Sequence, residues 1–459
     1  MNRTALVSVI ALGLGFALPS AADAQSLMET FAKAYLGNPT LEARRAQLRG
    51  ADENVTQALS LWRPSVTGTA SAGVGYSYTD PALDAHQTRT PASVQVEVVQ
   101  PLYRGGRNPA ALAEAENFVL SERAALLSVE QDVLQQAGTA YMNVVRDQAV
   151  VELNLNNEEV LRRQLQATRD RFQVGEVTRT DVSQAEARLS RAIADRRAAE
   201  GDLETSRADY EQIVGVPPGV LVQPDPLPGL PASRREAIER SQVDNPAVIQ
   251  AIFAHIAASK SVGVVEGEML PSASLVGQVR QSYESTVSNS DTFNAQATAQ
   301  VTIPLYQSGS VRSRVRQAKQ VASQRMIQVE EARRAAIEAA TAGWEQLAAT
   351  RNRIRALQAE VEAQQIAVDG VQQEALVGTR TVLDVLNAEQ ELLNARVNLI
   401  RAQRDEMVAS LSLASAVGLL AAEPLNLDVP RYDVRAHYEE VRGRWFGTEI
   451  GSPWRPADK

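Results

Sequence analysis

Cysteine is absent from all 459 residues, which excludes disulfides, thiolate metal sites, a cysteine nucleophile and a lipid-modified N-terminal cysteine. Histidine occurs three times, as His86, His255 and His437, in no metal-ligand spacing. There is no phosphate loop, HExxH motif or nucleophile elbow, so neither enzymatic activity nor a cofactor or metal site is expected. Aromatics make up only 5%, too few for the large core of a compact globule, and long Gly-free and Pro-free stretches point to elongated helices. Positive charge is also in deficit: 46 Lys and Arg against 55 Asp and Glu give −9, which argues against a nucleic-acid partner. After the N-terminus no continuous apolar run approaches the ~18 residues of a membrane helix. The nearest, Leu411–Ala422, is interrupted by Ser412, Ser415 and Gly418.

What is present begins with an export signal. Arg3, the apolar stretch Ala5–Leu18 and Ala22-Asp23-Ala24 have the three-part order of a secretory leader, with residues 1–24 removed and Gln25 first in the mature chain.

The rest reads as one unit written twice. Asn38-Pro39 recurs as Asn245-Pro246 and Pro64 as Pro271, both 207 residues on. The offset then becomes 203 and holds: Pro101-Leu102-Tyr103 returns as Pro304-Leu305-Tyr306, Val174-Gly175 as Val377-Gly378, and Asp181-Val182 as Asp384-Val385. The copies cover 25–216 and 233–422. They are separated by a proline-rich linker, 217–232, that cannot be helical, and a tail follows over 423–459.

Each copy opens with a helix of about 35 residues, Ser26–Leu61 or Ser233–Glu268, ended by a proline. Strands follow. Val66, Gly68, Ala70, Ala72, Val74, Tyr76 and Tyr78 alternate with polar residues, as do Val94, Val96 and Val98, and Ala297, Ala299, Val301 and Ile303. Asn108-Pro109 then predicts the start of a helix running to about Phe172, on the order of 100 Å long. Leu120, Leu127, Leu134 and Tyr141, and Leu347, Ile354, Val361, Val368 and Ala375, repeat every seven residues and predict coiled-coil packing. Gly175 and Gly378 mark the tip turns, and the returning helices span about Thr180–Ile213 and Val382–Leu420.

The fold class is therefore α+β: long antiparallel coiled-coil helices plus four strands in two hairpins. Four strands with an apolar face and two unpaired edges are stable neither in water nor in lipid, whereas closure of several chains into a barrel removes the edges. Such a barrel would turn Val and Ala to lipid and Ser, Thr, Gln and Glu to a lumen. Trp62, Tyr103 and Tyr306 fall near one end of the strands, and Tyr76, Tyr78, Tyr283 and Phe293 near the other, as the two aromatic girdles of a membrane-embedded barrel would.

The Asn-Pro pairs, the strands ending Pro-Leu-Tyr-x-x-Gly and the tip Val377–Glu389 resemble the TolC family of outer-membrane channel proteins, especially members serving type I protein secretion. The resemblance covers about residues 26–420. It implies a homotrimer with a 12-stranded barrel in the cell outer membrane and a helical tunnel in the periplasm. A periplasmic adaptor and an inner-membrane ABC or other efflux transporter would be its partners. The family's narrowest constriction falls on Asp384 and Asn387, the latter where relatives often carry a second aspartate. Its latch arginine falls on Arg380, facing Thr180 and Asp181 of a neighbouring subunit, and Ala375 stands where relatives place a latch tyrosine. Two readings of the aspartates stand side by side, because Thr178-x-x-Asp181 and Thr381-x-x-Asp384 are also capping boxes. A periplasmic adaptor or a structural coiled-coil envelope protein would explain the helices, but neither needs duplicated amphipathic strands. For the tail, packing of Val434–Phe446 around the tunnel waist is expected, with a disordered polar end.

Overall fold

The computed structural model describes residues 25–78, 86–285 and 289–450, so the expected leader over residues 1–24 and the end of the tail lie outside the described residues. The first half runs α1 (Leu27–Gly37), α2 (Pro39–Ser60), β1 (Ser65–Ala72), β2 (Gly75–Tyr78), β3 (His86–Arg89), β4 (Ala92–Arg104), α3 (Arg107–Gln173) and α4 (Arg179–Val214). The second runs α5 (Arg234–Asp244), α6 (Pro246–Glu266), β5 (Ser272–Tyr283), β6 (Asp291–Thr302), α7 (Ser310–Leu376) and α8 (Val382–Ala416), and α9 (Ala436–Arg442) follows.

Asparagine-proline pairs break what reads as one 35-residue helix into two. The Asn38 side chain accepts the amides of Thr40 at 2.9 Å and Leu41 at 3.3 Å, and Pro39 takes the first helical position, where no donor is needed. Asn245 does the same for Ala247 at 2.9 Å. At Asn108-Pro109 the same signature misleads. Helix α3 starts at Arg107, two residues before Pro109, behind Gly106 in the left-handed region. The Asn108 amide caps nothing and instead donates to the Leu61 carbonyl at 2.9 Å. Helices α3 and α7 each hold 67 residues, or about 100 Å. The predicted heptad positions are buried or half-buried, with Leu134, Tyr141 and Leu347 almost fully enclosed. Helix α3 packs against α4, α7 against α8, and α8 against α3, so the two hairpins stand side by side.

The stretch Arg234–Met269, not Leu411–Ala422, is the described segment long and apolar enough to cross a membrane by composition. His255, Lys260 and serines interrupt its apolar run, which hides it from a count of consecutive residues. In the fold it is broken at Asn245-Pro246, and α6 lies between α3 and α7.

Four strands form one antiparallel sheet in the order β1-β4-β5-β6, and β2 and β3 extend the first hairpin beyond a break at Gly73-Val74. The register carries the two faces straight across. Gly68, Val96, Val279 and Ala295 are in line, whereas Thr67, Glu97, Gln278 and Gln296 line up on the opposite face. All connections to helices leave from one end of the sheet, and the hairpins close the other. At the helical end Gly105 has φ of 62°, and a Cβ there would lie 2.3 Å from the Gly267 carbonyl oxygen, so only glycine lets β4 and α6 approach this closely.

The main core lies where α1, α2, the upper part of α3, the end of α8, the linker and the tail meet. Phe31, Leu41, Leu134, Tyr141, Leu411 and Leu420 are enclosed there. The linker is non-helical as expected, and its Val222 carbonyl accepts the Tyr141 hydroxyl at 2.7 Å. The tail packs along α2 rather than hanging free.

Candidate pore wall and gate

The sheet is inside out for a water-soluble protein. Along β4, Val94, Val96 and Val98 are exposed while Gln95 and Glu97 between them are half-buried. Leu275, Val279 and Phe293 continue the exposed apolar face, and Ser, Thr, Gln and Asn fill the other. From Ala273 to Tyr283 the strand β5 covers about 34 Å, or about 25 Å of height at the usual tilt of a membrane barrel. That matches the apolar band of an outer membrane. Tyr103 lies opposite Ala273 at the helical end, with Trp62 and Tyr306 exposed beside it. Tyr283 and Phe293 lie at the far end, and Tyr76 lies beyond them on β2. Tyr78 is also on β2, and its side chain is outside the described residues. One charged residue on the polar face escaped the sequence reading: Arg280, opposite Gln95 and one inward row from Glu97. Its place two residues after Gln278 and out of phase with Val279 was the available signal.

At the other extreme of the molecule, each long hairpin ends in a turn built by glycine. Gly175 and Gly378 have φ of 78° and 83°. Beyond them Glu176 donates to the Arg171 carbonyl at 2.9 Å, and Thr379 to the Glu374 carbonyl at 3.0 Å, which satisfies the last carbonyls of α3 and α7. Both returning helices begin with a reciprocal capping box. The Asp181 carboxylate accepts the Thr178 amide and hydroxyl at 2.8 Å each, and the Thr178 hydroxyl accepts the Asp181 amide at 3.3 Å. In the second tip Asp384 accepts the Thr381 amide at 3.0 Å and hydroxyl at 2.8 Å. The Thr381 amide bond, the hydroxyl bond and the Arg380 charge hold the Asp384 carboxyl below the usual carboxylate range.

The charged tip residues have partners within one chain that the sequence did not name. Within one chain Arg380 Nε donates to Glu374 Oε2 at 2.8 Å, and among the described residues it makes no bond to Thr180 or Asp181. Asn387 accepts from Arg188 Nη2 at 2.8 Å, which ties the second tip to the first. Val382 and Leu386 reinforce that tie by packing with Leu161, Leu165, Ala185 and Ala192. Glu374 and Arg188 were missed. The offset of 203 could have pointed to Glu374, which stands where the first copy has Arg171. Ala375 occupies the last turn of α7, where its carbonyl accepts the Gly378 amide at 3.3 Å.

The sequence model of the family described as outer membrane efflux protein matches residues 31–216 and 237–419. The outer membrane efflux protein BepC of Brucella suis is 35% identical over 93% of this chain and 92% of its own length. The outer membrane protein TolC of Escherichia coli is 26% identical over 91% and 87%. The solved CmeC outer membrane channel of Campylobacter jejuni superposes with a TM-score of 0.76 at 15% identity, covering 91% of this chain and 89% of that one. With its inverted sheet and paired helical tips, the chain belongs to the outer membrane efflux protein family, the TolC family.

Proposed function

We propose that three copies of this chain close into a passive exit conduit of a tripartite type I secretion or multidrug efflux system. The family is one of outer-membrane channels, which are not enzymes, and the chain's place is the outer membrane with its helices in the periplasm. The observation that carries the trimer is the sheet: an exposed apolar face and two free edges, β1 and β6, with no further strand among the described residues to pair them. Three copies give a 12-stranded barrel whose polar rows line the lumen, on a tunnel of duplicated hairpins. A periplasmic adaptor and an inner-membrane ABC or other efflux transporter engage the tunnel's tips.

At those tips Asp384 and Asn387 ring the axis as the narrowest constriction. Arg380 exchanges its partner within the chain for Thr180 and Asp181 of the next subunit when the tunnel is shut. A coiled-coil envelope protein or an adaptor has no use for an inside-out sheet. Native mass spectrometry in detergent is expected to find trimers. Monomers with intact β-structure would overturn the reading.

A further inference from the structure

The tail does more than cover the waist of the tunnel. It runs alongside α2 in a regular register, touching it at successively later positions. Tyr432 stacks on Arg45 at 5.2 Å from ring centroid to guanidinium, and its hydroxyl accepts from Arg49 at 3.4 Å. His437 meets Asp52 at 3.2 Å, the Val441 carbonyl accepts the Thr56 hydroxyl at 2.8 Å, and the Arg444 carbonyl accepts Arg63 Nη1 at 2.7 Å. From Arg45 to Arg63 this climb covers about 27 Å at the helical rise. It ends level with Pro64, where β1 begins and the Trp62 and Tyr103 girdle stands.

There the tail delivers two aromatic side chains. Arg63 stacks on one face of Trp445 at 4.6 Å, yet Trp445 stays 58% exposed and Phe446 86%. A groove of about 440 Å³ joins Trp445 to Trp62, Pro64, Gln100 and Leu112. Arg444 turns back to hold the Phe446 and Glu449 carbonyls, which fixes the turn that presents these rings. Among the described residues neither Arg63 nor Arg444 is bonded to a carboxylate, and Arg104 and Arg107 add positive charge at the foot of β4. Exposed aromatics beside unneutralised arginines, continuous with a lipid-facing girdle, match the headgroup zone of a phospholipid leaflet.

We infer that Trp445 and Phe446 dock the tail into the phospholipid headgroup zone of the leaflet facing the tunnel, as an interfacial anchor outside the barrel. The inference rests on the channel reading above. The full chain, with Trp62, Trp344 and Trp454 replaced by Phe, is reconstituted in phosphatidylcholine nanodiscs. The acyl chains are brominated either near the headgroup or near the terminal methyl. Trp445 is expected to lose at least about half its fluorescence with headgroup-end bromine and much less with the terminal label, as an interfacial ring does. A second variant, Val279→Trp in a background also carrying Trp445→Phe, reports on the outer face of the sheet. If that reporter is quenched by lipid bromine while Trp445 is not, the tail lies in water or against a second copy, and the anchor is wrong while the channel stands. If neither is quenched, the sheet is not in lipid and both readings fall.

Discussion

The two tips share a backbone and differ in charge. Both have a positive-φ glycine, and both returning helices start with a Thr-x-x-Asp box of nearly identical geometry. At the position seven residues before the threonine of each box the halves reverse sign. Arg171 in the first tip donates to Glu176 at 3.0 Å, whereas Glu374 in the second accepts from Arg380 at 2.8 Å. The first tip has Val177 where the second has Arg380. What is common to both is what any tight helical hairpin needs in order to fold, namely a glycine turn and a capped return. A gate at these tips, if they form one, lies in what they do not share. This makes Asp181 and Asp384 poor evidence for a gate by themselves, and Arg380 and Glu374 better evidence.

The strongest test of that asymmetry is competition for Arg380. A guanidinium that holds Glu374 in its own chain is not free for the neighbour's Asp181. Arg380→Ser should open the tunnel, raising single-channel conductance and admitting large antibiotics to cells. Each exposed pair shifts an equilibrium no more than about fivefold, but three acting together reach about a hundredfold. Glu374→Gln should move the other way, lowering conductance, because it releases Arg380 to the neighbour. If Glu374→Gln leaks as Arg380→Ser does, Glu374 is itself the holding partner and the latch to Asp181 is wrong. Asp181→Asn combined with Arg380→Ser supplies the check: a double that leaks no more than either single places both residues in one bond.

A smaller effect separates the two aspartates in an open pore. A carboxylate ring at a narrow aqueous constriction attracts cations. Asp384→Ala should reduce cation selectivity in planar bilayers several-fold and weaken block by multivalent cations, whereas Asp181→Ala should leave both nearly unchanged. The cap is lost equally in the two variants, so equal effects on selectivity would reduce Asp384 to a helix cap.

Much of the fold was legible because the physics behind it is local. Alternation over Val94–Val98 and heptads through Leu134 and Leu347 depend on near neighbours, and they placed the strands and long helices within a few residues. The failures came where one signature has two meanings. Asn-Pro is read as a helix start at 108 alone, yet it is the start at 38 and 245, where one helix of about 35 residues is expected, and at 108 the asparagine side chain is drawn to the Leu61 carbonyl by a tertiary contact no window contains. The candidate gate was legible only as far as its caps. Glu374 on Arg380 and Arg188 on Asn387 are pairings of exposed side chains, and the second joins residues 199 apart. Nothing in periodicity selects one acidic partner over another there. The tail, without repeat or strong period, gave no hint of its register along α2.

The finest comparison concerns the cap of the second tip alone. Asp384 titrates below its ordinary range because its ionised form accepts the Thr381 amide and hydroxyl and lies near Arg380. The folded-state value is thus below the unfolded one. Its contribution is therefore complete above the unfolded value of about 3.9 and is lost as pH falls through the lower, folded value. The protection factor of the Thr381 amide should accordingly hold at pH about 5 and fall several-fold in more acidic solution than an ordinary aspartate would require. Asp384→Asn should flatten that dependence. Arg380→Ser should shift it slightly toward ordinary pH values, since the arginine is the weakest of the groups that depress Asp384. If Arg380→Ser leaves the profile unmoved, the arginine does not act on its own chain's cap. The second tip would then differ from the first only in what it offers to its neighbours.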